Sequence, residues 1–206
     1  MSAIDDAIAH LKSADVEYAR FLENAPRCTL DEPLHESELE TLIFAIIGQQ
    51  ISVKAADAIT YRLIDAVSRP VTPESVIALG QDGLHALGFT KAKARTSFEL
   101  AEAILDGTID FEHLRTLDDD AAVAYLSGMW GIGRWTSEMF LMFRHGRLDY
   151  WPTGDIAVRR GFAQIKGLDT IPAPEDMESM ADHLRPYRSV AAWYCWVALR
   201  DETNFW

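Results

Sequence analysis

The chain has little of several things, and each shortage narrows what it can be. Of its 206 residues only two are cysteines, Cys28 and Cys195, far apart and without paired spacing, which excludes a disulfide framework and a four-cysteine iron–sulfur cluster. The longest apolar runs, "LIFAII" at 42–47 and "VAAWYCWVAL" at 190–199, are too short to cross a bilayer, so no membrane association is expected. The opening "MSAIDDAIAH" lacks a basic start followed by an apolar stretch, so no signal peptide is expected, and a reducing cytoplasm fits best. Bases are scarce too: 19 Lys and Arg against 32 Asp and Glu give a net charge of −13, which taken alone argues against nucleic acid.

The charge is unevenly spread. Residues 1–40 hold ten acids and three bases, net −7, whereas residues 128–166 hold three acids and six bases, net +3. Chance solvation of surface helices explains such a shift as readily as an anionic ligand does. The local sign matters more than the total.

Helical periodicity dominates, and no stretch alternates with period two, so the expected class is all-α. Ile4, Ile8, Leu11, Tyr18 and Leu22 form an apolar stripe predicting one first helix. Further helices are expected over 37–48, over about 53–67, over a short segment ending at Gly80, over "KAKARTSFELAEAIL" and over "LDDDAAVAYLSG". Others should begin near Asp155, near Pro174 and near Arg188, after the breaker-rich loop "HGRLDYWPTG". At this length the chain makes one domain or two small lobes sharing a groove.

In "MWGIGRWTSEMFLMF" two glycines, Gly131 and Gly133, open a helix instead of ending one. Such a turn bares backbone N–H groups, and a helix N-terminus offers unpaired donors and partial positive charge to an anion. A phosphate held this way needs few lysines, which reconciles anion binding with the net charge. A tight corner between two helices explains the glycines equally. Asp155, between Gly154 and "IAVRRGF", reads on its own as a helix cap paired with Arg159. Lys91, Lys93 and Arg95 crowd a helix start, where cations are disfavoured unless a phosphate or solvent offsets the cost.

Together, "LSGMWGIGRWTSEMFLMF" and Asp155, 22 residues after Gly133, resemble the helix-hairpin-helix, Gly/Pro-rich loop, Asp superfamily of DNA glycosylases, and within it the DNA-3-methyladenine glycosylase II type. The likeness spans roughly residues 38–200, with "IIGQQIS", "ALGFTKAKARTSFELAEAILDGTI" and "LRPYRSVAAWYCW" in family order. It implies a single helix-hairpin-helix glycosylase domain over 1–206, two helical lobes flanking a cleft, without the extra N-terminal β-rich domain of some relatives. It implies Asp155 as the catalytic carboxylate and water as the nucleophile. A flipped-out base would stack on Trp135 and Trp196, with Met139 where relatives often carry Tyr, and with Tyr187 nearby. Trp151 and Trp193 are further aromatic neighbours, Trp193 reading better as core.

For DNA contact the resemblance implies Gly131, Ile132, Gly133, Arg134, Thr136 and Lys93, with Gln50 as the wedge filling the vacated stack; a polar helix-breaking corner is the other reading of Gln50. It also implies a monovalent cation on the carbonyls of Ser127, Met129 and Ile132, and otherwise no required cofactor. The expected partner is damaged double-stranded DNA, bound by a monomer. A glycosylase with lyase chemistry and a non-catalytic DNA-binding module are the rival readings. Lyase-competent relatives place a lysine two residues past the second hairpin glycine, where this chain has Trp135.

Overall fold

The computed structural model describes residues 2–32 and 37–199, and every regular element among them is helical. The chain divides into two compact units, one made of residues up to 33 and from 146 onward, the other of residues 34–145.

The first unit opens with α1 (Ala3–Ala14) and α2 (Val16–Phe21), where the apolar stripe predicts one helix. Asp15 breaks it. Its backbone is extended, and its Oδ1 accepts the N–H groups of Glu17 at 3.0 Å and Tyr18 at 3.1 Å, so a new helix starts there. Asp competes with the backbone for hydrogen bonds in this way, and the stripe runs on because both helices bury the same face.

The second unit runs from α3 (Glu38–Gly48) through α4 (Val53–Val67), α5 (Pro73–Ala86), α6 (Lys91–Leu105), α7 (Phe111–Thr116) and α8 (Asp119–Ser127) to α9 (Arg134–Phe143). Nine consecutive residues of α3, Leu39 to Ile47, are buried, which makes this helix the axis of the unit. Its one interior carboxylate, Glu40, accepts the Val71 N–H at 3.1 Å. The helix expected to end at Gly80 continues to Ala86: Gly80 adopts φ +65°, ψ 173° and kinks the segment without stopping it. Asp110 caps α7, a helix too short for its periodicity to register.

The chain then returns to the first unit with α10 (Ile156–Lys166), α11 (Pro174–Met180), a 3-10 turn over Asp182–Leu184 and α12 (Arg188–Ala198). Residues 188–196 of α12 are all buried. Gly161 makes the crossing of α10 and α12 possible, because a Cβ there would collide with the Cys195 carbonyl. At the far end of α10, Lys166 donates to Asp15 Oδ2 and Glu17 Oε2, each at 2.7 Å, and His183 Nε2 lies 2.7 Å from the same Asp15 oxygen. Burial alone would raise the Asp15 carboxyl, but these partners hold it far below the usual range. The helix carrying Asp155 at its start is thus pinned at its end. No helix among the described residues is long and apolar enough to cross a membrane.

Candidate functional site

The hairpin lies in the second unit. Asp118 caps α8, with Asp119 and Asp120 in its first turn, as the acidic cluster predicts. After α8 the chain turns through Gly128–Gly133, the Ile132 N–H donating to the Met129 carbonyl at 3.1 Å while the Ile132 side chain is buried. Gly131 sits at φ +80°, and a Cβ there would run into the Thr96 side chain of α6, so the hairpin presses on that helix. Gly133 caps α9 with no side-chain hydrogen bond, and a Cβ there would meet nothing within 4 Å. One glycine is required by packing. The other is required by nothing inside the protein.

Two residues hold this turn in place. Gln49 Nε2 donates to the Gly131 carbonyl at 3.0 Å and to Thr136 Oγ1 at 2.9 Å. Lys93 Nζ donates to the carbonyls of Ile47 at 2.8 Å and Gln49 at 2.7 Å, capping the end of α3. The reading of Lys93 as a phosphate contact is therefore corrected: the side chain is buried, burial pulls its ammonium below the ordinary value, and two carbonyls bind it. The Thr136 hydroxyl likewise faces inward, 2 % exposed and occupied by Gln49. The sequence does not reveal the support role of Gln49, because the two adjacent amides of "GQQIS" carry no pattern that says which one turns inward.

Arg134 remains available at the surface, 68 % exposed, with Nε on Glu138 Oε1 at 2.8 Å. Gln50 is exposed and holds φ +55°, a conformation costly for a non-glycine residue and found where a side chain is projected from a tight break. The carbonyls of Ser127, Met129 and Ile132 form a set without carboxylates, and that of Met129 already receives one N–H. Neutral carbonyl oxygens suit a singly charged hard cation. No group of three His, Cys, Asp or Glu side chains able to hold a metal occurs among the described residues.

Asp155 lies in the first unit, at the start of α10. Its Oδ1 accepts the N–H groups of Ala157 at 2.7 Å and Val158 at 3.1 Å, and its own N–H reaches the Pro152 carbonyl at 2.9 Å. It is half-buried. The expected pairing with Arg159 is not made; that guanidinium donates to the Pro172 carbonyl at 3.2 Å instead. The preceding loop is stapled to the start of α12: Tyr150 N–H donates to Ser189 Oγ at 2.8 Å, Ser189 N–H to the Leu148 carbonyl at 2.9 Å, and Arg188 Nε to Asp149 Oδ1 at 2.8 Å.

Trp196 is buried on α12, the helix that α10 crosses. Burial pushes the neighbouring Cys195 thiol up to about 12, the Tyr18 hydroxyl opposing and the Asp155 charge adding to the rise. Tyr187 is half-buried, its ring edge-to-face with His10 at 5.3 Å. Trp151 and Trp193 belong to the core: the first donates to the Met177 carbonyl at 2.9 Å and meets Phe162 edge-on, the second meets Tyr194 edge-on. The remaining pocket candidates, half-buried Trp135 and buried Met139, lie on α9 in the second unit.

Residues 43–186 match the model of the HhH-GPD superfamily base excision DNA repair protein, and the chain belongs to that superfamily. The alkylbase DNA glycosidase-like protein mag2 of Schizosaccharomyces pombe is 30% identical over 191 residues, covering 91% of this chain and 90% of its own. DNA-3-methyladenine glycosylase 1 of the same yeast is 30% identical over 200 residues, 95% of this chain and 88% of that one. Among solved structures, the S. pombe 3-methyladenine DNA glycosylase in complex with abasic DNA superposes with a TM-score of 0.82 at 28% identity, covering 98% of this chain and 99% of that chain.

Proposed function

We propose that the protein is a monofunctional DNA glycosylase of base excision repair. It acts as a monomer on damaged double-stranded DNA in the cytoplasm, and it releases alkylated purines of the 3-methyladenine and 7-methylguanine type. The observation that carries this reading is Asp155, a half-buried carboxylate fixed by two amides at the start of α10, against the helix that bears Trp196. Loss of a purine develops positive charge on the deoxyribose. A fixed carboxylate beside C1′ lowers that barrier and orients the attacking water. Alkylation at N3 or N7 makes the base cationic, so it leaves readily and favours electron-rich indole faces; the first unit offers Trp196 and Tyr187 for such a base, and the second offers Trp135 and Met139.

The hairpin amides at Gly131–Gly133, with Ile132 anchoring the turn and Arg134 beside it, grip the phosphate backbone, and Gln50 fills the vacated stack. No cofactor is required; a monovalent cation held by the carbonyls of Ser127, Met129 and Ile132 would be structural and would stiffen the turn. Lyase chemistry needs a free amine at C1′. Trp135 occupies the relevant position, and the Lys93 ammonium is bound by two carbonyls. A non-catalytic binding module would use Asp155 as a helix cap alone, as Asp15 is used at α2, and would release no base.

The test is to incubate methylated duplex DNA with the protein and a borohydride reductant. Free methylated purine should appear, strands should break only after alkali, and no covalent protein–DNA band should form. Intact bases, or a trapped adduct mapping to a lysine, would overturn the reading.

A further inference from the structure

Trp130 stands on the hairpin directly before Gly131 with 48 % of its surface exposed, unusual for the side chain with the most apolar area to hide. The Arg95 guanidinium lies over its ring, Cζ 4.2 Å from the centroid. The same contact that forces Gly131 to be glycine produces this pairing: the hairpin presses on Thr96, so the residue before Gly131 meets the residue before Thr96. Arg95 Nε donates to Glu99 Oε1 at 2.7 Å, which sets the plane of the guanidinium. Among the described residues its terminal nitrogens have no protein acceptor, and neither has the Trp130 Nε1–H. Exposed Lys91 lies one turn before Arg95 on α6.

We propose that Trp130 and Arg95 form a second, sequence-independent contact for duplex DNA beside the hairpin, resting on the reading of the hairpin as a DNA grip. The indole lies against a deoxyribose, and the Arg95 fork, with the Trp130 N–H, binds the adjoining phosphate. Stacking fixes both groups before DNA arrives, so little side-chain freedom is lost on binding. A guanidinium with two unused NH2 groups matches a phosphate better than an ammonium does. Such a contact positions the duplex and carries no base preference. It also helps an acidic chain hold DNA with few cations.

The experiment measures affinity for an undamaged duplex by fluorescence anisotropy across a salt series, for wild type, Trp130→Ala, Arg95→Ala and the double variant. Thermal midpoints confirm folding, and Trp130→Phe and Arg95→Gln stand in for any variant that does not fold. Each single substitution should raise Kd about fivefold to tenfold. The double variant should be little worse than either single one, because the pair acts as a unit. Arg95→Ala should also reduce the salt slope by about 0.9. Affinities within twofold of wild type for folded single variants would overturn the proposal and reduce the pair to a structural clasp. Base release by the wild type is measured alongside. Variants that lose affinity while the wild type releases no methylated purine would leave the contact standing and remove the glycosylase reading. Normal release with undiminished variant affinity would do the reverse.

Discussion

The two helix starts at Gly133 and Asp155 meet the same physical problem in opposite ways. Every helix begins with N–H groups that have no partner inside it. At α10 the protein supplies the partner itself, a carboxylate accepting two of them at 2.7 and 3.1 Å. At α9 the cap residue supplies no side-chain hydrogen bond: Gly133 brings no side chain, and nothing among the described residues lies within 4 Å of where its Cβ would be. The first solution builds a fixed negative charge into the protein, and the second leaves partial positive charge facing outward for someone else's anion. In the function proposed above, the first serves the cationic sugar of the transition state and the second serves phosphate. On that proposal a chain with 32 acids and 19 bases binds DNA through its backbone.

The largest break in the comparison is Asp155→Asn. An asparagine still caps, so the variant should fold with a stability within about 1 kcal/mol of wild type. Excision of methylated purine should nonetheless fall by roughly 10²–10³ as electrostatic stabilisation is lost, while abasic-site DNA is still bound. Single-turnover base release checks the first and anisotropy the second; release near the wild-type rate would leave Asp155 a cap and nothing more.

Asp15 sharpens the same contrast, because it caps α2 with the same Oδ1 geometry but has Lys166 and His183 on its other oxygen. Its role should be stability alone. Its folded carboxyl titrates far below the unfolded value of about 3.9, so the stabilisation is complete above pH 4 and drains away as pH falls toward the folded value. Asp15→Asn should cost about 2–3 kcal/mol at pH 7, since it leaves Lys166 without its buried partner. It should also flatten the acid limb of the thermal midpoint between pH 4 and pH 2, which scanning calorimetry at stepped pH would show.

Within the hairpin, the two glycines separate packing from binding. Gly131→Ala meets both a left-handed φ and the Thr96 side chain, and should lower stability by about 1–3 kcal/mol. Gly133→Ala meets neither obstacle and should melt close to wild type, yet its methyl group would stand before the open amides and weaken duplex binding about tenfold. If Gly133→Ala bound DNA normally, the turn would be a corner between helices and the contrast with Asp155 would collapse.

Much of this was legible in the sequence because it depends on local pattern. The start of α9 after Gly133, the cap at Asp155 and the acidic start of α8 all follow from residue type and spacing. The partners of long polar side chains were not legible. Lys93, Gln49 and Arg159 each reach a carbonyl that only the folded chain brings near, 46, 82 and 13 residues away. Periodicity ran through Asp15 because a stripe records which face is buried and says nothing of whether the axis continues.

The smallest effect expected is that of Arg134→Ala, and it tests whether backbone amides or side-chain charge dominate at α9. Arg134 is two-thirds exposed and already shares its Nε with Glu138, so little of its charge is committed to one geometry. If the amides carry the grip, its removal should weaken binding to damaged and undamaged duplexes alike by only about threefold to fivefold. The slope of log K against log salt should fall by about 0.9, from a wild-type value already shallow for a DNA-binding protein. Titration at four salt concentrations measures both. A wild-type slope implying roughly ten phosphate charges would place the grip on side chains, and the open helix start at Gly133 would then lose its part in binding.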